Sequence, residues 1–312
     1  MSNPNEINFI MLVGLSGSGK SFRANELKDT FYKNCKCEIC SSDTVRYQLY
    51  GNENIQGDST EVFKVLHNKV INNLKNDISV IYDATNLTLK NRKSILDEVN
   101  SLKKKLDKFI RIYCEIISTP FTECLKRNLS RDRFVPEQVI YNMLSRFQVP
   151  LLREGFDSVT VVSNHECPLK HYSTMFDEMV DFNQYNPHHK FNLQDHCNMA
   201  TSYINENCCE EHFEQLNIAA MLHDYGKLFT RTFDSNGIAH YYGHENVGAY
   251  KVLTECNALP KVLIDIVRYI NYHMLPFQFA NMSNKKKAYY MNLFGLEMWN
   301  NLLLLHEADI NS

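Results

Sequence analysis

Short apolar runs alternate with longer amphipathic stretches through the first half of the chain. Five of the runs are bounded by polar or glycine-containing segments, which predicts strands at residues 9–13, 38–41, 79–83, 109–117 and 159–163. Between them, apolar residues recur at three- and four-residue spacing, which predicts helices at 20–32, 59–75, 89–105, 120–131 and 136–147. Strands that alternate with helices of this length indicate a parallel sheet covered by helices on both faces.

The pattern changes after Asn164, where strand-like runs stop and helical periodicity continues. We predict helices at 172–184, 193–207, 210–223, 243–256, 260–273 and 286–308. The stretch that joins the two patterns is polar and contains several His and Asn residues. We therefore predict an α/β domain at residues 1–163, a linker at 164–186 and an all-α domain at 187–312.

The composition is that of an ordinary globular protein. Of 312 residues, 44% are hydrophobic and 22% are charged, and the net charge is −3. The charge excludes a global attraction to nucleic acid, so contact with a polynucleotide would depend on local basic clusters. The N-terminal residues show no targeting pattern and the longest apolar runs are too short to span a bilayer, which predicts a cytoplasmic protein with no membrane partner.

The ten cysteines are irregularly spaced, as is typical of reduced cytosolic thiols. Cys35, Cys37 and Cys40 are close enough in sequence to suggest zinc. Because no fourth ligand lies nearby in the sequence, we interpret them as buried or surface thiols.

The octapeptide GLSGSGKS follows a predicted strand and opens a predicted helix. It fits the P-loop pattern, in which glycines let backbone N–H groups surround phosphate oxygens at a helix N-terminus. The expected nucleotide-binding residues are Gly14, Gly17, Gly19, Lys20 and Ser21. Lys20 is expected to reach the β- and γ-phosphates of ATP or another NTP, and Ser21 to ligate Mg²⁺.

Three further clusters bear on what the P-loop serves. Asp43 and Arg46 lie three residues apart in SSDTVR, where a carboxylate can accept a proton and a guanidinium can hold a phosphate. Asp83 ends an apolar strand, as does a carboxylate that holds the water shell of Mg²⁺. Arg127 and Arg131 share one helix face and can close over a phosphate. A helix cap, a surface arginine and a solvated helix face explain the same spacings.

Taken in order over residues 8–160, these segments resemble the phage-type 5′-hydroxyl polynucleotide kinase family. The resemblance implies that Lys20 and Ser21 bind the nucleotide phosphates and the metal. It implies that Asp43 is the general base for a 5′-OH and that Arg46 contacts the phosphate at the acceptor end. The two lid arginines would stabilise the transferred phosphate, and Asp83 matches a carboxylate after the third strand. A weaker resemblance to P-loop kinases of small molecules leaves the acceptor open.

Most of the twelve histidines follow residue 187. Six residues on or next to separate predicted helices are spaced as a metal cluster: His196, His223, Asp224, His244, His273 and Asp309. Imidazoles with carboxylates suit a first-row divalent metal, and a helical bundle can aim such ligands inward. Each histidine alone is more typical of a surface residue or of a core residue with a hydrogen-bond partner.

The strings NPHHKFNLQDH, MLHDYGKL and HYYGHENVGA resemble the HD phosphohydrolase superfamily, most of all the HD domain attached to bacterial tRNA nucleotidyltransferases. The resemblance covers residues 186–312 and implies that the six residues bind one or two transition metals, Mn, Fe, Co, Ni or Zn. The filled set is that of two-metal members, which hydrolyse phosphoesters. Lys227 is a candidate to bind the scissile phosphate or a surface residue, and His188 and His189 are candidates for substrate contact.

The two resemblances together match bifunctional HD-domain polynucleotide kinases, with the domain order reversed. Such an enzyme phosphorylates 5′-OH ends and clears 2′,3′-cyclic or terminal phosphates from RNA or DNA ends, so that a separate ligase can join them. If phage-encoded, it would act in the host cytoplasm. One alternative is a nucleoside or nucleotide kinase fused to a nucleotidase or cyclic-nucleotide phosphodiesterase, which the acidic net charge favours. Another is a nucleotide-gated regulatory module with an inactive HD site.

Overall fold

The computed structural model describes residues 6–33, 35–55, 57–131, 133–187, 191–258 and 260–312. These residues form two compact units. The first comprises Met1–Met143 and Pro150–His165, and the second comprises Leu144–Val149 and Glu166–Ser312. The chain therefore enters the second unit at Leu144, returns to the first at Pro150 and leaves it again at Glu166.

A five-stranded parallel sheet forms the centre of the first unit, as predicted. Its strands are β1 (Ile7–Val13), β2 (Cys37–Ser41), β3 (Ser79–Asp83), β4 (Ile110–Ser118) and β5 (Ser158–Ser163). The spatial order is β2-β3-β1-β4-β5, with Leu12 of β1 in register with Asp83 of β3. Strands β2 and β3 lie on one side of β1, and strands β4 and β5 lie on the other. The strand order therefore reverses at β1, and the point of reversal lies at the carboxyl end of this strand. Ligands of open α/β sheets bind at such a point.

Six helices connect these strands in the described part of the first unit: α1 (Lys20–Thr30), α2 (Ser42–Tyr50), α3 (Ser59–Lys75), α4 (Leu89–Leu106), α5 (Phe121–Leu129) and α6 (Glu137–Leu144). Apolar periodicity predicted all of them except α2, which buries Val45 and Arg46 and has no apolar stripe. Its ends define it instead. The Ser41 hydroxyl accepts a hydrogen bond from the Asp43 amide, and Gly51 ends the helix in the left-handed region.

The core of the first unit lies on both faces of the sheet. Ile10 and Leu12 of β1 pack with Ala24 and Leu27 of α1 in one buried cluster. A buried ion pair joins α4 to a 3-10 turn ahead of β5. There Arg92 Nε donates to Glu154 Oε2 at 2.7 Å and Arg92 Nη2 donates to Glu154 Oε1 at 2.8 Å. Both side chains are at least 95% buried, so each charge depends on the other.

The described part of the second unit is mainly helical: α7 (Tyr172–Asp177), α8 (Leu193–Asn207), α9 (Phe213–Leu222), α10 (Lys227–Thr230), α11 (His244–Glu255), α12 (Pro260–Tyr272), α13 (Leu275–Phe279) and α14 (Asn284–Ile310). Helix α9 packs against α8 and α12, α11 packs against α12, and α14 packs against α8.

Two details of the second unit differ from the sequence prediction. A short antiparallel hairpin of β6 (Thr232–Phe233) and β7 (Ala239–His240) interrupts the expected all-α architecture. Two-residue strands are too short to show an alternating pattern. The helix predicted to reach residue 184 ends at Asp177, and Asp181 has a φ of 56°, which breaks the helix. The segment predicted as a linker therefore contains α7 and an irregular stretch that contacts the hairpin, as the Ala239 amide donates to the Tyr185 carbonyl.

Helix α14 is interrupted at Gly295, which has a φ of 77° that favours glycine. After this kink, Trp299 packs with its ring centroid 4.4 Å from that of Phe279 and 6.2 Å from that of Phe294. Trp299 is the sole tryptophan of the chain. In the described part of the chain, no helix combines the length and the apolarity required to cross a membrane. None of the ten cysteines forms a disulfide bond, and the side chains of Cys37 and Cys40 are buried in β2.

Candidate functional site

The P-loop connects β1 to α1 and depends on its glycines. Gly17 and Gly19 have φ values of 85° and 97°, which L side chains rarely adopt. A Cβ on Gly17 would lie 2.3 Å from the Cys124 carbonyl oxygen. Lys20 Nζ reaches back across the loop and donates to the Leu15 carbonyl at 2.7 Å. The Gly14 amide donates to Thr85 O at 3.1 Å, which ties the loop to the segment after β3.

Ser21 and Asp83 meet at the carboxyl end of the sheet. Ser21 Oγ donates to Asp83 Oδ2 at 2.7 Å. Burial raises the pKa of Asp83 and lowers the pKa of Lys20, and the attraction between the two charges opposes both shifts. A hydroxyl beside a carboxylate supplies the oxygen ligands that Mg²⁺ prefers. The predicted positions of Lys20, Ser21 and Asp83 are thus brought together.

Asp43 lies in the first turn of α2 and is contacted by two arginines. Arg46 Nη1 donates to Asp43 Oδ1 at 3.2 Å, and the Arg133 guanidinium contacts the other carboxylate oxygen. The Nε atoms of both arginines are buried without a hydrogen-bond partner among the described residues. Burial and the nearby charge of Arg133 lower the pKa of Arg46 despite its contact with Asp43. Buried donors without partners favour an additional anion here.

The two arginines predicted to form a lid lie on either side of the P-loop. Arg131 Nη2 donates to Ser16 Oγ of the loop at 2.6 Å. Arg127 donates from Nε to Glu123 Oε1 at 2.8 Å and from Nη2 to Asn164 O at 2.6 Å. Arg131 is therefore placed directly on the phosphate loop, whereas Arg127 is held at its rim.

Two cavities meet at this site. The first, about 330 Å³, is lined by P-loop residues together with Arg46 and Arg127. The second, about 580 Å³, is lined by Ser41 of β2, Thr44 of α2 and Glu53 in the segment after α2, among others. Five residues line both cavities: Ser21, Asp43, Asp83, Arg131 and Arg133. These five residues therefore lie at the boundary between the two cavities.

The second unit brings all six predicted metal ligands together. They come from α8 (His196), the end of α9 (His223 and Asp224), the start of α11 (His244), the end of α12 (His273) and the end of α14 (Asp309). The ligand atoms form two groups, and the atoms of each lie within 4.8 Å of one another. One group is His196, His223, Asp224 and Asp309, and the other is Asp224, His244 and His273.

Asp224 belongs to both groups through different oxygens. Its Oδ2 lies 3.4 Å from both His196 Nε2 and His223 Nε2. Its Oδ1 lies 3.0 Å from His244 Nε2 and 3.8 Å from His273 Nε2. Asp309 Oδ1 completes the first group at 3.2 Å from His196 Nε2. A carboxylate that presents one oxygen to each of two groups has the arrangement of a bridging ligand between two metals.

The orientation of the four imidazoles is set by their Nδ1 atoms. His223, His244 and His273 each donate from Nδ1 to the backbone carbonyl three residues earlier, at 2.8, 2.8 and 2.7 Å. His196 Nδ1 lies 2.8 Å from Ser312 Oγ. A donor Nδ1–H leaves the Nε2 lone pair directed at the cluster, which is how metal-binding histidines are held in proteins.

Electrostatics in the cluster also fits a cation. Burial lowers the pKa of His273 to about 3, so this imidazole stays neutral. Burial opposes charge on His223 as well, but Asp224 and Asp309 outweigh it and raise its pKa. Lys227, His223 and His196 hold the pKa of Asp224 well below its usual range against the effect of burial. His196 and His223 do the same for the pKa of Asp309. His223 Nε2 is buried without a hydrogen bond to a described residue, so the donor set fits a divalent metal.

Lys227 is buried beside the cluster. Its Nζ lies 2.6 Å from Asp224 Oδ2 and donates to Gln184 Oε1 at 2.9 Å. It also lies 5.5 Å from the ring centroid of Tyr241. Lys227 Nζ is thus close enough to the cluster to contact an anion bound there. His188 and His189, also predicted to contact substrate, lie outside the described residues.

Comparison with known proteins covers mainly the first unit. The sequence model of a family described as "AAA domain" matches residues 9–150. L-seryl-tRNA(Sec) kinase of Methanococcus maripaludis is 28% identical over 180 residues, which are 56% of this chain and 66% of that protein. The chain therefore matches just under two thirds of that relative. The N-terminal unit is thus similar to P-loop kinases over residues 9–150, and we call it the P-loop kinase domain.

Partial matches to solved structures were also found. A chain of the Pnkp1/Rnl/Hen1 RNA repair complex is 24% identical with a TM-score of 0.38, over 46% of this chain and 44% of that one. A fungal RNA kinase is 17% identical with a TM-score of 0.38, over 69% of this chain and 50% of that one. The family match to the P-loop kinase domain ends at residue 150, before the histidine cluster.

Sequence reasoning missed two residues that the structure places at the sites. Arg133 of the P-loop kinase domain contacts Asp43, and its only sequence signal is its position two residues after Arg131. Gln184 contacts Lys227 from within the predicted linker, where nothing in the sequence distinguishes it.

Proposed function

We propose that this chain heals nucleic-acid ends. The P-loop kinase domain would phosphorylate 5′-OH ends with ATP, and the helical unit would remove a 2′,3′-cyclic or terminal 2′ or 3′ phosphate. Two features of one chain carry the proposal: a P-loop beside Asp43 with its two arginine contacts, and two groups of metal-ligand atoms that share Asp224. The two chemistries repair opposite ends of one break, and sealing is left to a separate ligase.

At the kinase site ATP is a substrate. The P-loop amides and Lys20 would hold its phosphates, and Ser21 with Asp83 would hold Mg²⁺. Asp43 would accept the proton of the acceptor hydroxyl as the hydroxyl oxygen bonds to the γ-phosphorus. The bond between that phosphorus and the leaving ADP oxygen breaks in the same step. Arg131, which already contacts the P-loop, would stabilise the charge on the transferred phosphoryl group.

Position selects Asp43 from the other carboxylates as the base. Three carboxylates line the cavities: Asp43, Glu53 and Asp83. Asp83 is engaged by Ser21 and matches a metal-binding position. Glu53 lines the second cavity alone, whereas Asp43 lines both. A base must contact the acceptor and lie beside the phosphoryl group at once, and Asp43 meets both conditions.

In the helical unit, the six ligands would hold one or two divalent transition metals. A metal in such a site lowers the pKa of water and neutralises charge on a phosphoester. The residues of the chain itself position these parts. The Nδ1 hydrogen bonds hold the imidazoles in one orientation, and Asp224 contributes one oxygen to each group of ligand atoms. Lys227 would donate from its buried ammonium to a phosphate oxygen.

Two observations bear on the acceptor. The name of the related archaeal kinase describes a reaction on seryl-tRNA, which supports an RNA-borne hydroxyl here. The net charge of −3 instead favours the alternative of a nucleoside or nucleotide kinase fused to a nucleotidase or cyclic-nucleotide phosphodiesterase. The test therefore has to compare oligonucleotides with free nucleosides and nucleotides.

The test uses a labelled oligonucleotide with 5′-OH and 2′,3′-cyclic phosphate ends, made as RNA and as the DNA counterpart with a 3′-phosphate. It is incubated with the full chain, ATP, Mg²⁺ and Mn²⁺. We expect Asp43→Asn to abolish 5′ phosphorylation alone and His244→Gln to impair 3′ clearing alone. Asp29→Asn is the matched control for Asp43, since Asp29 is an exposed carboxylate of α1 that lines neither cavity.

The outcomes separate the candidates. Turnover of free nucleosides or nucleotides without turnover of the oligonucleotide would establish the small-molecule alternative. A kinase reaction with a metal-free, inactive helical unit would establish the regulatory module. Loss of both reactions in either single variant would contradict two independent sites.

A further inference from the structure

An exposed cluster of aromatic rings surrounds one arginine beside the metal cluster. We call it the Arg231 patch, formed by Phe182, Tyr185, Arg231 and Phe233. The Arg231 guanidinium carbon lies 4.5, 5.7 and 5.6 Å from the ring centroids of Phe182, Tyr185 and Phe233. Tyr185 and Phe233 contact each other edge to face at 5.9 Å, and each is more than half exposed. Exposed aromatic rings grouped around a cation form a surface on which a ligand can stack.

The patch is linked to the metal cluster by short contacts. Lys227 and Arg231 lie one helical turn apart, at the start and the C-cap of α10. Lys227 contacts Asp224 and Gln184, and Gln184 directly precedes Tyr185 of the patch. The Cβ atoms of Lys227 and Arg231 are therefore about 5–6 Å apart. Lys227 lies at the buried cluster and Arg231 lies at the surface.

The hairpin holds the patch in place. The Ala239 amide of β7 donates to Tyr185 O at 2.9 Å, and Asn186 Nδ2 donates to Ala239 O at 3.0 Å. Arg231 Nη1 donates to Asn183 O at 3.3 Å. These bonds attach the segment before α8 to the β6–β7 hairpin, so the rings are presented by a hydrogen-bonded frame.

We infer that the Arg231 patch binds the terminal bases of a single-stranded nucleic acid whose 3′ phosphate lies at the metal cluster. This inference rests on the proposed phosphoesterase function. Unpaired bases stack on aromatic rings and on the plane of an arginine, and a guanidinium attracts the phosphate between them. Recognition of a peptide would not require a cation such as Arg231 close to a site that binds phosphate. The patch would thus supply local attraction on a chain of net charge −3.

The test measures binding and hydrolysis separately on the full chain with its metal. Binding is followed by anisotropy of single-stranded 10-nucleotide RNA and DNA, blocked at the 5′ end by the dye and ending in 3′-OH. We expect Arg231→Ala and Phe233→Ala each to weaken binding about tenfold. Arg231→Lys keeps the charge but loses the planar stacking surface, so it should also weaken binding. Lys285→Ala, which removes an exposed cation of α14, should bind as the unmodified chain does.

Hydrolysis distinguishes the patch from the catalytic site. With a 2′,3′-cyclic-ended RNA, the patch variants should raise KM about tenfold and leave kcat unchanged. With bis-p-nitrophenyl phosphate they should match the unmodified chain, because this substrate is too short to reach the patch. Unchanged oligonucleotide binding in both Arg231→Ala and Phe233→Ala would overturn the inference. If the unmodified chain hydrolyses neither substrate, the phosphoesterase function fails, and the anisotropy still decides whether the patch binds nucleic acid.

Discussion

Because Asp224 supplies one oxygen to each ligand group, replacing it with Asn should affect both groups at once. We expect the unmodified chain to bind about two divalent metals. Asp224→Asn should bind almost none. Asp309 belongs to the first group only and His273 to the second only. Asp309→Asn and His273→Gln should therefore each lose about one metal and keep the other.

The expected loss of affinity follows from the number of ligands. A structural zinc site with four ligands contributes about 10–16 kcal/mol, so one ligand is worth about 3 kcal/mol or a hundredfold in affinity. Asp224→Asn also removes the negative charge that lies 2.6 Å from the buried Lys227 ammonium. That charge imbalance would cost about 3–5 kcal/mol of stability. The double variant Asp224→Asn, Lys227→Met removes both charges, so it should recover stability without recovering metal.

Metal content would be measured by elemental analysis after dialysis against Mn²⁺ or Zn²⁺, and affinity by calorimetric titration. Asp195→Asn is the matched control, since Asp195 lies beside His196 on α8 but is exposed and bonded to Asn192. Equal metal content in the Asp224→Asn and Asp309→Asn variants would refute the shared-ligand assignment. A single metal in the unmodified chain would refute the two groups.

Three further predictions concern the P-loop kinase domain. Glu154→Gln should destabilise this domain by about 3–5 kcal/mol, because it leaves the Arg92 charge buried, and hydrogen exchange of β1–β4 peptides would show faster opening; unchanged exchange would contradict a buried ionic pair. Gly19→Ala should abolish ATP binding in a calorimetric titration, because Gly19 has a φ of 97° and a Cβ on it would lie 1.9 Å from Asn164 Nδ2. Retained affinity for ATP would contradict the P-loop assignment. Arg133→Ala should lower kinase turnover about a hundredfold while 3′ clearing is retained, because Arg133 contacts Asp43 and faces both cavities; an unchanged rate would make this contact structural.

Much of the fold could be predicted from the sequence because the buried strands are apolar runs with polar ends. Helix α2 and the β6–β7 hairpin could not. In α2 a single apolar residue, Val45, is fully buried, so the helix depends on its Ser41 and Gly51 caps and shows no stripe. The helix expected to reach residue 184 ends early because Asp181 has a φ of 56°, and because the Gln184 side chain accepts a hydrogen bond from Lys227. These are tertiary effects without a local pattern.

Which residues would meet at the two candidate sites could be predicted from the sequence, but not which atoms contact one another. Spacing and resemblance pointed to His196 and Asp309, which are more than a hundred residues apart and lie 3.2 Å from each other. No spacing indicates that Asp224 divides its oxygens between two groups, or that backbone carbonyls three residues earlier orient three of the imidazoles. Arg133 was missed because a contact to Asp43 from 90 residues away has no sequence periodicity.

The position of Trp299 gives the helical unit an optical signal of its own. It lies on the same helix as Asp309, about 15 Å along the axis and after the Gly295 kink. As the chain has no other tryptophan, indole emission reports on the helical unit and is silent about the P-loop kinase domain. A metal that displaces Asp309 would displace α14, and the contacts of Trp299 with Phe279 and Phe294 would change with it. Filling of the cluster can therefore be followed in the unlabelled protein while ATP occupies the other unit.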